Sequence, residues 1–314
     1  MDTALELEHV SKSYRVGWRK TKRTAVADLS LRVPAGTVFG LLGPNGAGKT
    51  TTLKMAIGLL RPDSGSVRIF GRDVGDLGVR RRVGFLPESP YFYAHLTAEK
   101  ALEFYARLFG MKKTERRKAA ERLLDLVGLA DAAKLPLGKF SKGMLQRFGI
   151  AQALVNNPDL LIVDEPASGL DPLGQVEIRR ILAALNAEGK SILLSSHHLS
   201  EIENMCQEVA VINKGKAVAR GKIEKLLDAG GVYSVSASGL PKNWRPVDAP
   251  AEIERSDGLA KLKVDKNNLN GLIANIQTSG GSIEEVRKVT KTLEELFLDL
   301  VGKDPGDGDE GNGR

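Results

Sequence analysis

The chain has 314 residues, 42% of them hydrophobic, and 46 Lys and Arg against 39 Asp and Glu give a net charge of +7. That length suits one large domain and one small one, at roughly 100–200 residues per domain. The apolar runs, such as residues 160–163 and 192–194, are far shorter than the roughly 20 residues a membrane-spanning helix needs.

A single cysteine, Cys206, excludes an internal disulfide and suits a reducing cytoplasm. Residues 1–10 are acidic, lack a long apolar core and do not read as a secretory signal. Basic residues cluster at 15–23, 80–82 and 112–118. Such clusters fit a solvated surface, a nucleic-acid partner or an anionic membrane face, and charge alone does not choose among them.

In chain order, residues 5–10 read as a short strand, and Leu29, Leu31 and Val33 alternate as another that Pro34–Gly36 ends. Residues 38–42 form a compact apolar run before a glycine-rich loop, and residues 49–60 have helical character. Residues 98–109, 114–127 and 141–155 are spaced as helices, the last stopped by Asn156-Asn157-Pro158. Residues 160–163 and 192–195 read as buried strands flanking a helix at 176–185. Strands alternating with helices predict an α/β unit with a mostly parallel, helix-covered sheet.

Composition shifts after Gly230-Gly231. Strand-like alternation at 232–238 and 259–264, a helix at 269–276, a strand at 283–286 and a helix at 293–301 predict a small α+β domain. The boundaries are thus 1–230 for the large domain, 231–302 for the small one and 303–314 for a Gly- and Asp-rich tail with a disordered composition.

The loop Gly43-Pro44-Asn45-Gly46-Ala47-Gly48-Lys49-Thr50 matches GxxxxGK[ST] in full. Glycines let backbone N–H groups converge on phosphate oxygens, and the following helix turns its positive end to the same anion. Lys49 is expected to reach the β- and γ-phosphates of ATP, Thr50 to ligate Mg²⁺, and Thr51 to complete the nucleotide-binding run. Leu160–Val163 then leads into Asp164 and Glu165. Asp164 is expected to hold Mg²⁺, and Glu165 to polarise the attacking water. A guanine-specific site is set aside, because Asn213-Lys214-Gly215-Lys216 lacks the aspartate of the NKxD pattern.

With these elements in place, the chain resembles the ATP-binding subunits of ABC transporters over roughly residues 5–221. Phe140-Ser141-Lys142-Gly143-Met144-Leu145-Gln146-Arg147 resembles the signature, Ser168-Gly169-Leu170-Asp171 the D-loop, and Ser195-Ser196-His197 the switch-histidine segment. The resemblance implies a P-loop ABC ATPase domain. Its parts are a mixed or parallel sheet core, an antiparallel β subdomain and a helical subdomain at about 88–158.

It also implies a head-to-tail homodimer, each ATP lying between one copy's phosphate loop and the other's Ser141 and Gly143. Asp171 would couple the two sites, His197 would contact the γ-phosphate, and Tyr14 would stack on adenine.

Two departures stand out. Glu88 occupies the position of the usual glutamine in Val83-Gly84-Phe85-Leu86-Pro87-Glu88, where it would offer Mg²⁺ a carboxylate. Lys142 and Met144 replace the common glycine and glutamine, and Lys142 would add charge near the γ-phosphate. These variants, with Thr292–Leu298 near the C-terminus, resemble the ABC type-two exporter group. There the permease is a separate polypeptide, docked by the region at about 88–128. Membrane contact through that permease places the subunit peripherally on the cytoplasmic side of the cell membrane. The alternative, a soluble ABC ATPase acting on nucleic acid or ribosomes, would use the basic balance. The chain lacks the long coiled coils or second ATPase domain of such relatives, so no nucleic-acid partner is expected.

Overall fold

The computed structural model describes residues 2–16, 21–241, 243–246, 252–256 and 258–301. The chain divides into two units, Met1–Ile223 and Glu224–Arg314. The expected tail at 303–314 lies outside the described residues.

The first unit opens with β1 (Thr3–Val16) and β2 (Thr21–Pro34), paired antiparallel. Leu29, Leu31 and Val33 are fully buried, as their alternation predicts. Both strands run further than that apolar pattern. Ser13, Tyr14 and Arg15 pair with Thr24, Arg23 and Lys22, so backbone pairing rather than burial orders the polar end. Tyr14 therefore lies inside the first strand, beyond the 5–10 stretch that the apolar pattern marks. His9 and Asp28 adopt φ of 51 and 53, and the register shifts on either side of Val10. Such irregularities bend the ribbon and interrupt its alternation.

β3 (Val38–Leu42) is buried at every position. It feeds the phosphate loop and then α1 (Lys49–Ala56), which stops before residue 60. Gly58 takes φ 70 and returns its N–H to the Met55 carbonyl, a glycine stop for the helix. β4 (Ser64–Ile69) and β5 (Arg72–Asp73) complete an antiparallel sheet ordered β2-β1-β4-β5.

α2 (Leu77–Arg80) and β6 (Val83–Leu86) precede three helices: α3 (Ala98–Leu108), α4 (Lys113–Leu126) and α5 (Lys142–Ala153). Thr97 and Ser141 cap α3 and α5 by accepting the N–H groups of Lys100 and Met144. Each cap contributes about 1 kcal/mol.

β7 (Leu160–Asp164), α6 (Pro172–Ala187), β8 (Ser191–Ser196), α7 (Leu199–Met205), β9 (Glu208–Asn213) and β10 (Lys216–Lys222) follow. The main sheet is ordered β10-β9-β3-β8-β7-β6. Its pairs are parallel except β10 with β9. β3, β7 and β8 are wholly buried, which is why residues 38–42, 160–163 and 192–194 read as apolar runs. Leu42 lies opposite Ser196, and Asp164 opposite Ser195. The C-terminal ends of β3, β7 and β8 thus share one edge of the sheet, where open α/β folds place their ligands.

α8 (Ile223–Leu226) spans the division. The second unit contains β11 (Asp228–Ser238), β12 (Glu252–Ser256), β13 (Leu259–Asp265), α9 (Lys266–Thr278), β14 (Ser282–Thr290) and α10 (Leu293–Val301). Its antiparallel sheet runs β12-β13-β11-β14. Val235, Ala237, Leu262 and Val264 from the sheet meet Leu272 and Ile276 from α9 in a separate small core. Among the described residues, no helix is long and apolar enough to cross a membrane.

Candidate nucleotide site

The phosphate loop leaves β3 under tight backbone constraint. A Cβ on Gly43 would stand 2.4 Å from the Ile212 carbonyl oxygen, and one on Gly48 would stand 2.4 Å from that of Ala25. Gly48 also takes φ 106, outside the range an L side chain adopts comfortably. Gly48 is the N-cap of α1, no side chain caps that end, and the first turn holds no acidic residue. The loop therefore presents backbone donors and the positive end of the helix dipole without an internal anion to satisfy them.

Lys49 is only 6% exposed. Its Nζ donates to the Gly43 carbonyl at 2.6 Å and lies 3.4 Å from Glu165 Oε1. Glu165 sits just past β7 with φ 49, and its N–H donates to the Ser195 carbonyl at 3.0 Å. Its Oε2 is 2.8 Å from His197 Nδ1. Ser195 Oγ donates to buried Asp164 and also lies 3.3 Å from the Glu165 N–H. One serine on β8 thus holds both acidic residues at the end of β7. Its cue in the sequence is polarity, since Ser195 and Ser196 follow the apolar residues 192–194.

These groups open onto a cavity of about 610 Å³, a size suited to a small-molecule ligand. Tyr14, Pro44, Asn45, Gly46, Gly48, Lys49, Thr50, Thr51, Glu88, Glu165 and His197 all line it. Gly43 and Ala47 stand behind the wall, Gly43 through its contact with Lys49 and Ala47 through a carbonyl that accepts the Gly215 N–H. Asp164 lies beneath the wall on Ser195.

Ser141, Gly143 and Asp171 do not line the cavity. Ser141 and Asp171 are exposed and cap α5 and α6. The Lys142 ammonium is folded against Gly169, close enough to meet a Cβ placed there at 2.4 Å.

Arg23 and Lys214 also line the cavity and are not marked by the sequence reading. Arg23 arrives by pairing with Tyr14 across the hairpin. Lys214 arrives through the β9–β10 turn, which Gly215 pins to Ala47 and Ala27. Three cationic side chains then face two carboxylates, an excess that favours a polyanionic ligand.

A phosphate loop at the edge of a mostly parallel sheet, facing a carboxylate and a histidine, defines a P-loop ATPase. Residues 26–168 match the ABC transporter family model. An ABC transporter ATP-binding protein of Nostoc sp. (strain PCC 7120) is 40% identical over 299 residues, covering 93% of this chain and 88% of that one. The Nod factor export ATP-binding protein I of Paraburkholderia xenovorans is 34% identical over 318 residues, covering 98% and 99%. A dimeric ATP-binding cassette solved in a post-hydrolysis state with ADP and Pi superposes with a TM-score of 0.64 at 28% identity, covering 70% of this chain and 98% of that one. The chain belongs to the ABC transporter family, as an ATP-binding subunit and ATPase.

Proposed function

We propose that the chain is the energising subunit of an exporter, closing as a homodimer around two ATP molecules to drive a separate transmembrane permease. The observation that carries this reading is the split of the expected groups. Lys49, Thr50, Glu165 and His197 meet at one cavity, while Ser141 and Gly143 lie outside it. In this reading each cavity is half a site, completed by Ser141 and Gly143 of a second copy. The ADP- and Pi-bound relative is dimeric, which supports pairing of two copies.

Lys49 would exchange the Gly43 carbonyl and Glu165 for the β- and γ-phosphates. The N–H groups at the start of α1 would hold the same oxygens. Tyr14, 38% exposed at the cavity mouth, offers a face for the adenine. Glu165 would accept a proton from the attacking water while His197 fixes the carboxylate on its other side.

Thr50 and Glu88, which line the cavity, would hold Mg²⁺ directly, and Asp164, behind the wall, would hold it through water. The donor set fits, because Mg²⁺ is usually held by one or two carboxylates together with phosphates and water. Mg²⁺, when bound, would neutralise charge on the β- and γ-phosphates. Asp171 would couple the two sites across the dimer.

The export direction and the permease rest on the likeness to the Nod factor exporter subunit and on the exporter-like Leu86-Pro87-Glu88 and Ser141-Lys142-Gly143-Met144 segments. A surface suited to the permease lies near Glu88. Tyr91, Tyr93 and Leu108, all within the region at about 88–128, are exposed at 92%, 52% and 67%. The subunit would then work peripherally at the cytoplasmic side of the membrane. Co-expression with the multi-spanning product of a neighbouring gene tests this. Co-purification from detergent, lost on Tyr91→Asp, is expected; a subunit that never co-purifies would contradict it.

A further inference from the structure

Glu201 is a buried carboxylate on α7, only 6% exposed, and has no part in the reading above. Its Oε2 accepts from Ser196 Oγ at 2.7 Å. Ser196 is fully buried at the end of β8. The same Oγ accepts the His198 N–H at 2.9 Å. A hydroxyl has one proton. With that proton committed to Glu201, a lone pair is left for the His198 N–H.

The turn carrying His197 is thereby tied on both sides, by the β8 ladder before it and by His198 after it. Its imidazole rests 2.8 Å from Glu165, and the His197 and His198 ring centroids are 3.9 Å apart. Burying a carboxylate is costly. Ile202, on the same helix, is fully buried against Gly40, so α7 is already anchored by apolar packing. What the carboxylate adds is direction.

We propose that Glu201 is a positioning residue for hydrolysis, acting through Ser196 and the His198 N–H to aim His197 at Glu165. The proposal rests on the reading of His197 as a participant in hydrolysis, and the experiment separates the two. ATP turnover, KM and binding of a non-hydrolysable ATP analogue are measured on the full chain, with melting temperature alongside.

Glu201→Ala and Ser196→Ala are expected to lower kcat about tenfold or more, as small misplacements at a reacting centre do. KM and analogue binding should stay within about twofold. Glu201→Gln should restore most of kcat, since its amide oxygen also accepts from Ser196. In a His197→Ala background, Glu201→Ala should cost nothing further, whereas a merely structural loss would add.

Ser196→Ala removes a single oxygen and decides the matter if Glu201→Ala fails to fold. Wild-type kcat in Glu201→Ala or Ser196→Ala beside a slow His197→Ala enzyme overturns the proposal, as do additive losses. A His197→Ala enzyme at full speed overturns the reading of His197 itself, and the proposal with it.

Discussion

The Lys49 ammonium lies 3.4 Å from the Glu165 carboxylate, and both side chains are 7% exposed. The proposed phosphate ligand and the proposed water-activating group therefore lie within reach of each other. In the proposed reading, ATP would turn Lys49 toward its phosphates and leave Glu165 to act on water. Lys49→Met should weaken ATP binding about ten- to a hundredfold, the loss of one charge-assisted hydrogen bond. Titration with a fluorescent ATP analogue measures it. Affinity within twofold of wild type would remove Lys49 from the phosphate site.

Ser195 holds Asp164 through its hydroxyl and meets the Glu165 N–H from the same atom. Ser195→Ala would leave buried Asp164 without that donor, a cost of about 1–3 kcal/mol. Urea unfolding should show the loss, and ATP turnover should fall with it. Unchanged stability and turnover would show that the acidic pair needs no such tie.

Cys206 is 8% exposed. Burial, and then the charge of Glu201, push its thiol well above the ordinary range. The native protein should resist alkylation at pH 8 and react only on unfolding. The sign of the pH effect follows. A thiol that keeps its proton in the folded state favours folding fully below the unfolded pKa, and that contribution fades as pH rises toward the folded value. Above about pH 8.5, stability should fall by about 1 kcal/mol per pH unit relative to Cys206→Ala. Parallel pH profiles for the two proteins would refute it.

Much of the fold was legible because its signals are local. Residues 38–42 and 160–163 are apolar because the strands are wholly buried, with α1 and the antiparallel sheet packed against them, and the glycine spacing between β3 and α1 is set by backbone contacts. The hidden parts depend on distant pairing. Ser13 to Val16 are polar or carry no alternation, yet the hairpin ladder extends them. β9 was not marked as a strand, although it flanks β3 in the central sheet. Arg23 and Lys214 reach the cavity through those same two features, so no motif reveals them. The division between units falls at Ile223 because β10 closes the main sheet there, while the composition shift comes later, at Gly230-Gly231.

In the proposed reading, ATP closes two copies around sites that neither completes alone. Light scattering on Glu165→Gln tests it most directly, since slowed hydrolysis, by about a hundredfold or more for a lost general base, preserves the closed state. The protein should be monomeric without nucleotide and dimeric with Mg-ATP. Adding Ser141→Arg should keep it monomeric while ATP still binds. A Glu165→Gln protein that saturates with ATP and stays monomeric would contradict the account.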